Sequence, residues 1–369
     1  MHNLFLEVEG QEKACNILTE IYNSRRIPNA LLFSGIEGIG KHYAAIQFLK
    51  LLNQQTSSDF IQKKIEKLTE PYVKLILPLP RGKNETNNDT PTAKLSEDII
   101  TDIREHLNSK AKNPYHKINI KNANNIKINS IREINKIISL NYDEVNYRGI
   151  IISDAEKMST EAQNAFLKNL EEPPEGIVFI LITSQPDKLL STIKSRCWHI
   201  NFAPLDTETI ARILTRYYLF DEEDYKFALP FAQGSVTKAL FLLENNINDY
   251  LEKTITILRY SLAKKYNTAY KEFSDIIKAK SSLAFQIILD LIITWFNDTI
   301  KQKHSVGNIN FKNNFETLVK FNNRFIKADV NNVIKNLVQI RNSIHNNVSL
   351  NLLAMNVIFE ITSIGIDAK

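Results

Sequence analysis

The chain has 369 residues, of which 43% are hydrophobic and 24% charged, a composition typical of a globular protein with two or three domains. Two cysteines are too few for a disulfide framework or a four-cysteine zinc site, so we expect reduced thiols and no zinc. The formal net charge is +5, and the basic residues are dispersed, which argues against a dedicated DNA-binding face.

The first residues do not have the charged start and apolar core of a secretory signal, which favours a cytoplasmic location. The longest apolar stretch, 283–296, is interrupted by Gln286 and Asp290. It is shorter than the roughly 20 residues that cross a bilayer. This stretch therefore predicts a buried helix, and we expect no membrane partner.

The first 200 residues alternate short apolar runs with helical patterns, which predicts an α/β domain built on a parallel sheet. Strands are predicted at 30–33, 73–77, 117–120, 149–152 and 177–182. Between the second and third strands, residues 81–92 contain almost nothing apolar. We expect this excursion to be flexible.

Helical spacing dominates after Pro204, and an Asn-rich break at 245–249 divides this second half of the chain. We therefore predict three domains. They are a P-loop α/β domain at 1–202, a small helical lid at 203–246 and an all-helical domain at 247–369.

A glycine-rich loop follows the first predicted strand and precedes a helix at 43–52. It reads Gly35-Ile36-Glu37-Gly38-Ile39-Gly40-Lys41-His42. In a P-loop of this spacing, backbone N–H groups surround a phosphate and the lysine reaches its outer oxygens. The next residue should be Ser or Thr to bind magnesium, and His42 is a poor ligand for that cation. We expect Gly35, Gly38, Gly40, Lys41 and His42 to form a degenerate nucleotide site.

Two acids should follow a later strand, one to hold magnesium and one to polarise water. The candidate positions are Ser153 and Asp154. In one alignment Ser153 replaces the magnesium acid and Asp154 the water-polarising acid. In the other, Asp154 binds the metal and Ala155 replaces the catalytic acid. Either alignment predicts no working metal site and loss of ATP hydrolysis, and leaves open whether ATP or ADP still binds.

Two later segments carry a family resemblance, namely Leu170-Glu171-Glu172-Pro173-Pro174 and Ser195-Arg196-Cys197. Together with the P-loop they resemble the clamp-loader branch of the AAA+ ATPases, and within it the bacterial DNA polymerase III delta-prime subunits. The resemblance extends from Gly10 to about Leu243 and implies an AAA+ domain, a lid and a helical collar. It also implies a five-membered ring with motor subunits and a clamp-opening subunit, which places a sliding clamp on primer-template DNA.

The resemblance further implies roles for individual residues. In the family, the arginine of the Ser-Arg-Cys motif acts on the ATP of a neighbouring subunit, so Arg196 is expected to be an arginine finger in trans. Thr183 and Ser184 match the polar sensor, and Lys238 matches a second sensor that is arginine in active motors. The zinc module of many relatives has no counterpart, because residues 53–72 contain no cysteine. A non-catalytic subunit that requires no cofactor is the expected result.

Two other functions remain open from the sequence. One is a working ATPase motor subunit with a divergent metal site, which DNA-stimulated ATP hydrolysis would favour. The other is a DNA-binding module that acts alone, which binding of primed DNA by the isolated chain would favour.

Overall fold

The computed structural model describes residues 5, 7–139, 144–344 and 348–367, the last three of them as backbone only. The chain forms two compact units. The first consists of residues 1–221 and 233–237, and the second of residues 222–232 and 238–369. Residues of the predicted lid thus fall in both units, and the three-domain division stays a prediction.

A parallel sheet forms the centre of the first unit, with the strand order β2-β3-β4-β1-β5. The strands are β1 (Ala30–Ser34), β2 (Val73–Ile76), β3 (Arg148–Ile152), β4 (Ile177–Thr183) and β5 (Trp198–Asn201). Every residue of β1, β3 and β4 is buried, as the lack of alternation in these apolar runs predicted.

Helices surround this sheet. They are α1 (Glu12–Ser24), α2 (Lys41–Leu52), α3 (Asp59–Glu66), α4 (Glu97–Lys112), α5 (Ile128–Ile138), α6 (Thr160–Glu171), α7 (Ser191–Lys194) and α8 (Thr207–Tyr218). The sheet and helices share a core in which Phe166 of α6 packs edge-on against Phe179 of β4, with ring centroids 5.2 Å apart. The α/β fold with a parallel sheet is confirmed.

One predicted strand is wrong and one strand was missed. Residues 117–120 form no strand, although Ile118 and Ile120 alternate with polar residues as in an edge strand. Lys117 instead forms an ion pair with Glu37, at 2.6 Å. The missed strand, β5, pairs with β1 at the edge of the sheet, and only its Ile200 is buried. A short edge strand of this kind has no apolar run by which a sequence could reveal it.

The polar excursion at 81–92 is held by one carboxylate rather than left without contacts. Glu85 is 7% exposed and accepts hydrogen bonds from Gly82 N, Lys127 Nζ and Asn129 Nδ2. These bonds and the lysine charge hold the pKa of Glu85 below its usual range although burial opposes the shift. Polar contacts therefore replace the apolar packing that this segment cannot supply.

The second unit is helical. It contains α9 (Glu222–Tyr225), most of α10 (Val236–Glu244), α11 (Ile247–Leu262), α12 (Tyr266–Lys271), α13 (Ser274–Lys278), α14 (Ser282–His304), α15 (Phe315–Arg324), α16 (Val330–Ser343) and α17 (Leu350–Asp367). By length and composition α14 could cross a membrane, but 78% of its most apolar 18-residue window is buried inside the protein. The predicted buried helix over 283–296 is thus confirmed.

Gly149 lets β3 lie directly against α2, the helix that follows the P-loop. A Cβ atom at this position would lie 2.1 Å from Cδ1 of Leu49, which is itself 1% exposed. We predict that Gly149→Ala lowers the free energy of unfolding by about 1–3 kcal/mol, because the buried leucine has little room to move. Urea denaturation monitored by circular dichroism measures this loss.

Leu49→Ala is the matched background for that experiment. It removes the side chain with which the new methyl group collides, so Gly149→Ala should cost clearly less in this background. An equal cost in both backgrounds would mean that the glycine is needed for a reason other than its contact with Leu49.

Candidate phosphate-loop site

The glycine-rich loop between β1 and α2 adopts a conformation that requires glycine. Gly38 and Gly40 have φ angles of +74° and +90°, in the left-handed region that other residues rarely adopt. A Cβ atom on Gly38 would also lie 2.5 Å from the backbone nitrogen of Thr237. Lys41 begins α2, so the loop ends at a helix N-terminus, where N–H groups favour anions.

The Lys41 side chain folds back onto the P-loop. Its Nζ donates hydrogen bonds to the carbonyl oxygens of Gly35 and Ile36, and the residue is 6% exposed. Burial lowers the pKa of Lys41 to about 8. The lysine of the motif is therefore held within the loop by backbone oxygens.

The two residues that depart from a working metal site meet in the structure. His42 Nε2 and Ser153 Oγ share a hydrogen bond of 2.8 Å, although the residues are 111 positions apart. Burial, with repulsion from Lys110 and Lys41, holds the pKa of His42 well below its usual range. A neutral imidazole and a hydroxyl thus satisfy each other where a P-loop enzyme places oxygen ligands for magnesium.

Asp154 follows Ser153 in a left-handed conformation, with a φ angle of +50°. Its carboxylate forms an ion pair with Lys157 at 2.9 Å. It lines the same cavity as the P-loop, so both alignments stay open, with Asp154 either as the water-polarising acid or as the metal ligand.

The predicted sensor residues lie at the carboxyl end of β4 and line this cavity too. Thr183 is 1% exposed, and its Oγ1 accepts a hydrogen bond from the backbone nitrogen of Gln185. Ser184 donates from both its backbone nitrogen and Oγ to Glu156 Oε1, at 3.1 and 2.7 Å. The hydroxyls of both residues are thus engaged with this chain.

Lys238 has a different environment, inside the second unit. Its Nζ donates to Asp290 Oδ2 at 2.6 Å, and Arg341 Nη1 donates to Oδ1 of the same carboxylate at 3.1 Å. The side chains of Asp290 and Lys238 are 3% and 11% exposed, so their ion pair is buried, whereas Arg341 is 31% exposed.

Arg196 lies on the surface, after the short helix α7. Its Nη2 forms an ion pair with Glu171 Oε1 at 2.9 Å, and its Nη1 donates to the carbonyl of Thr192 at 3.0 Å. The side chain is 37% exposed. The Ser-Arg-Cys and Leu-Glu-Glu-Pro-Pro motifs are therefore joined through these two charged residues.

Sequence reasoning missed residues near the end of α4 and in the loop that follows it. Lys110, Tyr115 and Lys117 line the cavity together with the P-loop. Lys110 is the last lysine but one of α4 and would be read as a solvated helix residue, yet it is only 7% exposed. No spacing rule connects it to the P-loop, which lies about 70 positions earlier in the chain.

Among the described residues, no group of three or more His, Cys, Asp or Glu side chains could hold a metal ion.

A parallel sheet in the order β2-β3-β4-β1-β5, with a phosphate loop after β1 and polar residues at the ends of β3 and β4, defines a P-loop protein of the AAA+ class. The family model described as "DNA polymerase III, delta subunit" matches residues 10–206, more than half of the chain. The chain belongs to this family, and the predicted membership of the clamp-loader branch is confirmed.

Curated relatives are subunits of DNA polymerase III. The chain is 27% identical over 343 residues to the gamma subunit of Buchnera aphidicola subsp. Schizaphis graminum, covering 90% of this chain and 83% of that protein. It is 27% identical over 325 residues to the tau subunit of Bacillus subtilis, covering 82% of this chain and 51% of that protein. A Thermotoga maritima gamma subunit-related structure aligns over 95% of this chain and 99% of its own, with 14% identity and a TM-score of 0.40.

The hydrogen bond between His42 and Ser153 should contribute to stability, because its loss leaves a buried ring nitrogen without this partner. We predict that Ser153→Ala lowers the free energy of unfolding by about 1–3 kcal/mol, measured by urea denaturation. Ser195→Ala is the control, since that exposed hydroxyl bonds only a local carbonyl, and it should change stability by less than about 0.5 kcal/mol. Equal, small effects of both substitutions would mean that water replaces the lost hydroxyl at His42.

Proposed function

We propose that this chain is a non-motor subunit, of the delta-prime type, in a bacterial DNA polymerase III clamp loader. The observation that carries the proposal is the hydrogen bond of 2.8 Å between His42 and Ser153, which occupies both positions where a motor subunit needs oxygen ligands for magnesium. Membership of the DNA polymerase III family supports the assembly in which such a subunit would act.

The proposed contribution of the subunit to ATP hydrolysis is Arg196. A guanidinium supplied from a neighbouring subunit stabilises the charge that develops during phosphoryl transfer. Arg196 is suited to this role because its side chain is partly exposed and its described partners are an exposed carboxylate and a local carbonyl. An ion pair of this kind typically contributes only about 0–1 kcal/mol, so the arginine can exchange Glu171 for a phosphate at low cost.

The proposed partners are motor subunits and a clamp-opening subunit in a five-membered ring, together with a sliding clamp and primer-template DNA. Names of the curated relatives support a role in DNA polymerase III. We propose that the helical second unit contains the collar through which the subunits associate.

A working motor subunit is the second candidate. It is favoured by relatives that are named gamma and tau subunits and by the presence of Lys41 and Asp154 in one cavity. The two candidates differ in whether this chain hydrolyses ATP by itself.

We predict that the purified chain shows no magnesium-dependent ATP hydrolysis above background, with or without primed DNA. Since His42 and Ser153 bond each other, neither offers a carboxylate or a free hydroxyl to hold the ion beside the phosphates. A coupled assay of phosphate release measures this. Turnover that Lys41→Ala abolishes would favour the motor subunit instead.

We predict that Arg196→Ala impairs ATP hydrolysis by a clamp loader assembled from this chain and its partner subunits, with little effect on folding. A fully acting arginine finger contributes about 10³ to 10⁵ in rate, and the loss should be smaller in a ring whose other boundaries keep their own fingers. The melting temperature should change little, since a surface arginine usually contributes no more than ~0.5 kcal/mol.

Arg212→Ala is the matched control. Arg212 is also an exposed arginine in an ion pair, with Glu9 at 2.9 Å, but it lies outside the Ser-Arg-Cys motif. Its substitution should leave ATP hydrolysis by the assembly unchanged. Arg196→Lys should restore little activity, because an ammonium does not reproduce the planar fork of the guanidinium. Normal hydrolysis by the Arg196→Ala assembly together with a melting temperature several degrees lower would make Arg196 a structural residue.

A further inference from the structure

The end of α4 and the loop after it lie against the P-loop. Lys110 Nζ donates to the carbonyl oxygens of Pro114 and His116, at 2.7 and 2.8 Å, and so holds this loop in a tight turn. The ring of Tyr115 lies over Gly40, where an added Cβ atom would be 3.4 Å from the tyrosine oxygen. The segment at 110–118 therefore forms one wall of the cavity.

Two buried ammonium groups line this cavity. Lys41 is 6% and Lys110 is 7% exposed. Among the described residues, neither forms an ion pair within 4.0 Å. Burying a charge without a counter-charge is costly, so two such groups at one cavity indicate a place for an anion.

The carboxylates around the cavity have cations of their own. Asp154 pairs with Lys157 at 2.9 Å, and Glu37 pairs with Lys117 at 2.6 Å. They favour the charged form of Lys41 and Lys110 only from a distance, and burial still lowers the pKa of Lys110 to about 7. An anion in the cavity would therefore favour the charged form of both lysines.

Hydrogen-bond donors are available to an anion in this cavity. An ammonium has three N–H groups, and the bonds described for Lys41 and for Lys110 use two in each. The P-loop and the start of α2 contribute backbone N–H groups. The cavity offers about 70 Å³, several times the roughly 10–15 Å³ that one water needs, and it is open to solvent on one side, so an anion longer than one phosphate can extend from it.

We propose that this cavity binds a polyphosphate anion without magnesium, and that the Lys110 ammonium supplies positive charge that a P-loop enzyme obtains from the metal. The ligand is pyrophosphate or the phosphate tail of a nucleotide, which share this chemistry. Lys41 and the loop N–H groups bind one side of the anion, and Lys110 binds the other. The inference rests on the proposed loss of the magnesium site in this chain, and it adds a ligand and a residue to that site.

Isothermal titration of the full chain with inorganic pyrophosphate, and separately with ATP, tests the proposal in EDTA and in excess magnesium. We expect binding in EDTA, and no tighter binding when magnesium is added. Equal affinities for the two probes would identify the free anion as the ligand, and a higher affinity for ATP would identify the nucleotide tail.

Lys110→Gln is the decisive variant, because glutamine keeps N–H donors for the loop carbonyls but removes the charge. We expect pyrophosphate to bind at least roughly tenfold more weakly, since a hydrogen bond to a charged group contributes about 1.5–3 kcal/mol. Lys112→Gln is the control, because Lys112 is an exposed residue of the same helix. The affinity of this variant for pyrophosphate should stay within about twofold of that of the parent.

A thermal unfolding scan guards against a folding defect. Lys110→Gln should still unfold in one cooperative transition without ligand, because its amide N–H groups can bond the loop carbonyls, and it should lose the increase in melting temperature that pyrophosphate gives the parent. If the Lys110→Gln variant does not fold, the same measurements are made with Lys110→Met, which also removes the charge.

Three results would overturn the inference. They are unchanged affinity in the folded Lys110 variant, absence of binding by either probe, and binding that requires magnesium. Absence of binding without ATP hydrolysis leaves the proposed non-motor function intact. Magnesium-dependent binding with ATP hydrolysis would overturn both.

Discussion

The parallel alignment of β1, β3 and β4 is the constraint on which the site depends. Because neighbouring parallel strands end at the same edge of a sheet, the loops after these strands must meet. Ser34, the last residue of β1, is in register with Thr183, the last residue of β4. The P-loop, the Ser153–Asp154 pair and the polar end of β4 are brought together in this way from positions as much as 149 apart in the chain.

At that edge, the two departures from a P-loop enzyme compensate for each other. A histidine alone at position 42 would bury an imidazole beside a carboxylate or a metal, and a serine alone at position 153 would leave a metal short of ligands. Together they form a neutral hydrogen-bonded pair. The low pKa of His42 keeps this pair uncharged near neutral pH, and Lys41 and Lys110 line the same cavity.

Arg196 and Lys238 differ in the burial of their ion pairs. The ion pair of Arg196 with Glu171 is exposed, and an exposed pair can be exchanged at a cost of about 0–1 kcal/mol. Lys238 shares Asp290 with Arg341 in the interior of the second unit, and removing one partner of such a buried pair typically costs about 3–5 kcal/mol. The ion pair of Arg196 can therefore be exchanged at lower cost than the buried ion pair of Lys238.

The sequence by itself determined the α/β class, the parallel sheet, the buried helix α14 and the position of the P-loop. These features follow from local patterns, namely unbroken apolar runs, helical spacing and glycines in one short loop. It also predicted that His42 and Ser153 are wrong for magnesium, because that inference needs only the chemistry of each side chain.

Only the tertiary structure decided that His42 and Ser153 bond each other, that Lys238 forms a buried ion pair with Asp290, and that Lys110 lines the same cavity as the phosphate loop. It also replaced the predicted strand at 117–120 with a loop and added the edge strand β5. The physical reason is the same in each case. Whether a polar side chain or a short alternating segment is solvated, paired or buried depends on contacts with residues far away in the chain, and no local pattern records them.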